Sequence, residues 1–289
     1  MNGRLIILAG GISSRMKSSQ TTNSVISQKL IQEAESKSKS MLSVGNKDRP
    51  FLDYLLYNAN QSDYREVVIV IGQNDFSIKD YYSKEENKKL FQQLEITYAV
   101  QPIPDGRAKP LGTADALLVG MKSKPDWNGK SFTVCNSDNL YSQKVLWLMK
   151  DSPFLNALID YDRDGLGCEK ERIERFAVTK KNEEGFLLDI IEKPTAKQIE
   201  LVKGKDGFVG VSMNIFRFSY EMILPFLEIV PLHPVRNEKE IPTAIMMMLE
   251  KFPESVFAYQ ISEEVPDLTN KDDIIKVKIY LEKHFNNIL

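Results

Sequence analysis

Leu5-Ile6-Ile7-Leu8-Ala9 is apolar at every position and runs directly into Gly10-Gly11, and no other stretch limits the fold as much. A strand with one face in water alternates polar and apolar residues. An unbroken apolar run needs cover on both faces, which parallel sheets between helix layers provide. Val67-Val68-Ile69-Val70-Ile71 repeats the pattern, and residues 96–100 and 131–135 supply two further strands. Between them, residues 51–56, 78–94 and 114–121 carry apolar side chains at helical spacing. Strand alternating with helix predicts an open α/β sheet, mostly parallel and flanked by helices, with ligands bound beyond the carboxyl ends of its strands.

Past residue 140 the alternation loosens. Strands are predicted at 156–161, 175–179, 186–191, 208–218 and 256–261, and helices at 220–229, 241–251 and 272–285. No internal repeat and no linker divides the 289 residues, so a single domain is expected, with halves 1–150 and 151–289. Residues 17–38, rich in Ser, Gln, Thr and Lys, read as a mobile, solvated insert with a weak helical pattern, suited to a lid or a partner contact.

The charge balance excludes some partners. Lys and Arg total 38 against 40 Asp and Glu, so no bulk field draws in nucleic acid or an anionic membrane, and any anion must be held locally. The two cysteines, Cys135 and Cys168, make no disulfide framework and have no Cys or His at metal-ligand spacing. No apolar run approaches the roughly 18 residues of a membrane span. The apolar start lacks a basic leader region, and a soluble, cytoplasmic chain is expected.

Unusual residues follow the predicted strands repeatedly. Gly10-Gly11, then Ser13, Ser14 and Arg15, form a turn where converging N–H groups and a guanidinium suit a phosphate, although a plain tight turn has the same composition. Gln101 ends a strand, and Gly112-Thr113 opens a helix. Asp138 ends an apolar strand beside Asn139, where a carboxylate facing phosphate is a natural Mg²⁺ ligand and an Asx turn is the plainer reading. Asp267, in the segment 263–269 past the last predicted strand, is the best-placed second carboxylate, although the sequence alone does not choose it over Glu264. Glu192-Lys193-Pro194 presents a cation ahead of a proline, which favours an extended Lys193. His233 and His284 have no neighbouring Ser or Cys nucleophile. Asp160-Tyr161-Asp162-Arg163-Asp164-Gly165 with Glu171 satisfies the written calcium-loop pattern, but a strand precedes it where a helix is required, and Gly167 stands at an apolar position.

Taken in order, these residues resemble the sugar-1-phosphate nucleotidyltransferases, the pyrophosphorylases that make nucleotide sugars. Leu8-Ala9-Gly10-Gly11-Ile12-Ser13-Ser14-Arg15-Met16 resembles the family's signature loop, and Lys39-Ser40-Met41-Leu42 its Lys-Pro-Met-Leu segment. Gln101 with Leu111-Gly112-Thr113-Ala114 matches the base-reading segment, and Asn136-Ser137-Asp138-Asn139 the turn carrying a magnesium aspartate. Ile191-Glu192-Lys193-Pro194 and Ser212-Met213-Asn214-Ile215-Phe216 resemble the sugar-phosphate segments, and Asp267 falls where the second magnesium aspartate is expected.

The resemblance implies a Rossmann-like fold with a smaller β-rich, sugar-binding subregion. It implies Mg²⁺-dependent transfer of a nucleotidyl group from a nucleoside triphosphate to a sugar-1-phosphate. The implied catalytic residues are Arg15, Lys39 and Lys193. Leu8, Ala9, Gly10, Gly11, Ser13, Ser14, Gln101, Gly112 and Thr113 would bind nucleotide. Glu192, Lys193 and Ser212 would bind the sugar phosphate, with Asp138 and Asp267 on the metal. A homo-oligomer is compatible with this reading.

Departures from the family pattern are specific. The insert lengthens the interval from Arg15, leaving Lys37 as a competitor of Lys39, while Ser40 replaces a proline and Ser137 and Asn214 replace glycines. No β-helix follows the catalytic region, so no allosteric or acyltransferase function of such a domain is expected. Gly112-Thr113-Ala114-Asp115-Ala116 and Ser212-Met213 lean toward the ADP-glucose branch. Two alternatives stand beside this reading: transfer to a polyol phosphate or cofactor, and a non-catalytic module that senses nucleotide sugars.

Overall fold

The apolar run of residues 5–9 lies in β1 (Gly3–Ala9), and its neighbours follow the same logic. The remaining strands are β2 (Tyr64–Gly72), β3 (Glu95–Gln101), β4 (Ser131–Asn136), β5 (Asn156–Asp162), β6 (Val178–Lys181), β7 (Leu187–Ile191), β8 (Gly210–Ser219) and β9 (Val256–Ile261). The helices of the first half are α1 (Ser14–Ser18), α2 (Gln28–Ser36), α3 (Phe51–Gln61), α4 (Ser77–Tyr82), α5 (Glu85–Leu90), α6 (Thr113–Lys122) and α7 (Gln143–Asp151). Those of the second half are α8 (Lys170–Ile173), α9 (Ala196–Val202), α10 (Tyr220–Ile229), α11 (Ile241–Lys251) and α12 (Asp273–Phe285). This computed structural model describes residues 3–19, 21, 26–167, 170–173, 176–204 and 206–286. Cys168 lies outside them, as do the side chain of Glu171 and part of the insert.

Strand order is β3-β2-β1-β4-β8-β5-β9, with the β6–β7 hairpin attached through β8. β1 pairs in parallel with β2 and β4, and β2 with β3. β8 is antiparallel to both β4 and β5, and β5 is parallel to β9. The two reversals cancel. Along that path, every strand except β8 therefore points the same way, and the ends of β1, β3, β4 and β9 share one edge of the sheet.

Alternation along β1 divides its apolar run between two cores. Leu5 and Ile7 pack with residues of α2, α3, α7 and α12, whereas Ile6 packs with α6, α10 and α11. All three are fully buried, so truncating any of them to Ala would remove about 2–5 kcal/mol. Two covered faces explain why no polar residue interrupts the run.

The weak helical pattern of the insert is realised in α2, and part of the described insert is packed rather than solvated. Ile26, Leu30 and Ala34 are buried in the core, the last two at the i, i+4 spacing that puts them on one face of α2. The Ser27 hydroxyl caps that helix by accepting from the Leu30 N–H. Lys271 ties both ends of the insert to the rest of the chain, donating to the Ser19 carbonyl at 2.9 Å and to Glu35 at 3.0 Å. The calcium-loop pattern is likewise structural at its first position. Asp160 is fully buried within β5 and accepts from Thr179 and Lys181 of β6.

Glu33 fastens α2 beside the segment that carries Lys39. It accepts from the Ser43 N–H at 3.0 Å, the Ser43 hydroxyl at 3.1 Å and Lys37 at 2.8 Å. Burial pushes the Glu33 carboxyl up, but these bonds outweigh it and hold the group below its ordinary value of 4.5. The ionised form is the stabilising one, so its contribution is present above the ordinary value and lost as pH falls through the lower folded one. Glu33→Ala is expected to cost about 1–2 kcal/mol in urea unfolding at neutral pH. The gap from the unsubstituted protein should narrow as pH falls through 4.5 and below.

Candidate active site

The turn after β1 is shaped by close contact. A Cβ on Gly10 would stand 2.9 Å from Oε1 of Gln101, so a side chain at this turn would have to displace that amide. Ser13 adopts left-handed backbone (φ 56°) ahead of α1, and its hydroxyl accepts from the Lys39 N–H at 3.3 Å. The chain thus returns to the glycine turn after the insert. Lys39 Nζ then donates to Asp138 Oδ2 at 2.5 Å, whereas Lys37 turns away to Glu33. Of the two competing lysines, Lys39 faces the cleft.

A cavity of about 280 Å³ opens at this edge. Its wall brings together Leu8, Ala9, Gly10, Gly11, Ser13, Ser14, Arg15, Lys39, Gln101, Gly112, Thr113 and Asp138. Gln101 is only 2 % exposed. Its amide donates to the Gly112 carbonyl at 3.0 Å and to Asp115 at 2.8 Å, which leaves Oε1 as the acceptor beside Gly10.

Gly112 has φ 112°, and a Cβ there would stand 2.6 Å from the Lys239 carbonyl. That carbonyl accepts from the Ala114 N–H at 3.0 Å, and Thr113 Oγ1 accepts from the Ile241 N–H at 3.2 Å. Lys109 completes the clasp on Glu238 at 2.5 Å, and both residues line the cavity. Sequence reasoning missed Lys109 and Glu238. Residues 236–240, Arg-Asn-Glu-Lys-Glu, carry no motif, and only the fold carries them to residues 107–113.

Asp138 and Asp267 meet because the segment after β9 crosses the end of β4. The Leu268 N–H donates to the Asp138 carbonyl and the Leu140 N–H to the Pro266 carbonyl, each at 2.9 Å, with Asn139 and Asp267 bridged as an antiparallel pair. Asp267 lines a second cavity of about 400 Å³, which shares Arg15 with the first. Glu264, its competitor in sequence, is exposed and touches the same cavity.

The carboxylates are sparsely hydrated. The Asp138 side chain is 21 % exposed and that of Asp267 10 %. Burial, and then the charge of Asp138, push the Asp267 carboxyl up to about 6 against the pull of Arg172 and Lys39. Arg172 of α8, which carries no motif, forks between Asp267 and Asp273. Asp138 and Asp267 supply two hard oxygen donors of the type a divalent cation such as Mg²⁺ takes. No cluster of three or more His, Cys, Asp or Glu residues suited to a metal occurs among the described residues.

Glu192, Lys193 and Ser212 line neither cavity. Glu192 accepts from Arg236 at 3.5 Å and so joins the segment that carries Glu238. Lys193 is exposed and has φ 47°, not the extended conformation expected ahead of Pro194. The chain must turn between the end of β7 at Ile191 and the Thr195 cap of α9, and Lys193 absorbs the turn. The Ser212 hydroxyl accepts from the Asn214 N–H at 3.3 Å. Asn214 has φ 57°, a conformation that asparagine tolerates better than most residues when it replaces glycine.

No curated protein matches this chain at a significant level. Solved structures share its fold over nearly its whole length. A UDP-glucose pyrophosphorylase complexed with UDP-glucose is 18% identical with a TM-score of 0.69, over 98% of this chain and 99% of that one. A UTP-bound UGPase from Acinetobacter baumannii is 18% identical with a TM-score of 0.68, over 98% and 95%. An apo UDP-glucose pyrophosphorylase is 17% identical with a TM-score of 0.70, over 98% and 99%. At these identities the likeness is one of fold. The sequence profile described as nucleotidyl transferase matches residues 27–281, from just before α2 into α12, and this chain belongs to the nucleotidyl transferase family.

Proposed function

We propose that this protein transfers a nucleotidyl group from a nucleoside triphosphate to a sugar-1-phosphate, releasing pyrophosphate, with Mg²⁺ held by Asp138 and Asp267. The observation that carries the reading is the convergence of the Gly10–Gly11 turn, Arg15, Lys39, Asp138 and Asp267 at one sheet edge in a chain of this family. Transfer to a sugar rests on the Glu-Lys-Pro and sugar-strand resemblances, and structures named for UDP-glucose and UTP make uridine and glucose the first substrates to try.

In this mechanism an oxygen of the sugar phosphate attacks the α-phosphorus in line. The bond from that phosphorus to the bridging oxygen breaks, and pyrophosphate departs with the electron pair. Little covalent help from the protein is needed, so positioning and charge neutralisation dominate. The glycine turn offers N–H groups to the triphosphate, and Arg15 and Lys39 offset the charge on the leaving phosphates. Lys39 exchanges Asp138 for phosphate as substrate enters, freeing a carboxylate oxygen. Mg²⁺ bound by the two aspartates would polarise phosphoryl oxygens and offset their charge. Gln101 and the Gly112–Thr113 backbone face the base, and Lys193, with Glu192 and Ser212, is assigned to the sugar phosphate.

Pyrophosphate release across the four nucleoside triphosphates and common hexose-1-phosphates, with and without Mg²⁺, tests the proposal. Turnover with at least one sugar phosphate is expected, and binding without turnover in every combination would favour a sensor. Asp138→Asn should lower kcat by about 100-fold or more while the far-ultraviolet circular dichroism spectrum is kept. Undiminished release by that variant would remove Asp138 from the mechanism. Gly112→Ala should lose more than about 1 kcal/mol of stability, because the new methyl group is strained at positive φ and meets the Lys239 carbonyl. Its nucleotide KM should rise as the clasp to residues 238–241 opens.

A further inference from the structure

We propose that Arg172 is a positioning residue for Asp267, holding that carboxylate toward Asp138 so that the pair can receive a divalent cation together with the nucleotide. The inference rests on the metal reading above. It begins from how Asp267 is held. One guanidinium nitrogen of Arg172 donates to Asp267 Oδ2, and the other donates to Asp273 Oδ1 at 2.6 Å. The second oxygen of Asp273 accepts from the N–H groups of Thr269 at 2.8 Å and Asn270 at 2.6 Å. The Thr269 hydroxyl lies 3.1 and 3.2 Å from the two oxygens of Asp267. Arg172 thereby connects α8 to the middle of the loop between β9 and α12 and to the first residue of α12.

Charge explains why an arginine is needed. Asp138, Asp267 and Asp273 are gathered, largely shielded from solvent, with Lys39 and Arg172, and Arg172 is paired with two of the three carboxylates. Without Arg172, repulsion from Asp138 would turn Asp267 away. A planar fork spans two carboxylates at once, which the point charge of a lysine does not do. The two sides of the cleft are arranged alike. Lys39 accompanies Asp138 from the insert side, and Arg172 accompanies Asp267 from the β5–β6 connection.

Mn²⁺ binding to the full-length protein tests this, followed by electron paramagnetic resonance in the presence of a nucleoside triphosphate analogue with a non-cleavable α–β bridge. The analogue carries the base that supports turnover, or uridine if none does. Arg172→Met is expected to weaken Mn²⁺ binding about 10- to 100-fold, the usual cost of losing a group that orients a metal ligand. kcat should fall in parallel, with nucleotide KM within about threefold. Arg172→Lys should restore only part of the loss. Thr269→Val, which removes the other hold on Asp267, should shift Mn²⁺ affinity in the same direction by less.

A lowered melting temperature with unchanged Mn²⁺ affinity in Arg172→Met would overturn the proposal, as would full rescue by lysine. Should Arg172→Met fail to fold, the lysine and valine variants decide, since normal Mn²⁺ affinity in both contradicts the assignment. Failure of the unsubstituted protein to bind Mn²⁺ with the analogue would defeat the metal reading and this inference with it. Normal Mn²⁺ binding that is indifferent to Arg172 defeats the inference alone.

Discussion

The site depends on one main-chain crossing. Where residues 266–268 pass over residues 138–140, two backbone hydrogen bonds place Asp138 and Asp267 together at the end of the sheet. Those bonds are local and ordinary. Their consequence is costly, because carboxylates forced together away from water repel each other. Lys39 and Arg172 offset that cost, and each belongs to a segment inserted between strands. Stability and the geometry of the site meet at this point, because the same two cations hold the carboxylates side by side.

Strand direction makes the crossing available. β8 runs against its neighbours, and by pairing antiparallel with both β4 and β5 it restores the direction of β5 and then of β9. A single reversal without the second would send the end of β9 to the far edge, more than a strand length from Asp138. The clasp between residues 107–113 and 237–241 closes the other side of the cleft. Residues 1–150 therefore take part of the cleft wall from residues 151–289. These contributions explain why no linker appears between residues 1–150 and 151–289.

Much of this was legible in the chain. Apolar runs without alternation marked the sheet, since burial on both faces leaves no room for polar residues, and helices α10 and α11 and strand β9 fall at their predicted positions. Gly10, Gln101, Gly112 and Asp138 stood out because each follows a strand or opens a helix where ligands are bound in such sheets. The insert was legible in part. Its polar residues left only a weak helical pattern, and Leu30 and Ala34 of that pattern bury one face of α2. Glu238 and Arg172 carried no local signal, because their partners lie far away in sequence.

By itself, then, the sequence determined the layered α/β plan, the phosphate-suited turn after β1 and the chemical types gathered near it, because periodicity and turn chemistry are local properties. Tertiary structure alone decided which of Lys37 and Lys39 faces the cleft, which acidic residue joins Asp138, and which distant groups close the wall. Those choices follow from strand direction and long-range charge pairing. Neither leaves a mark on neighbouring residues in the chain.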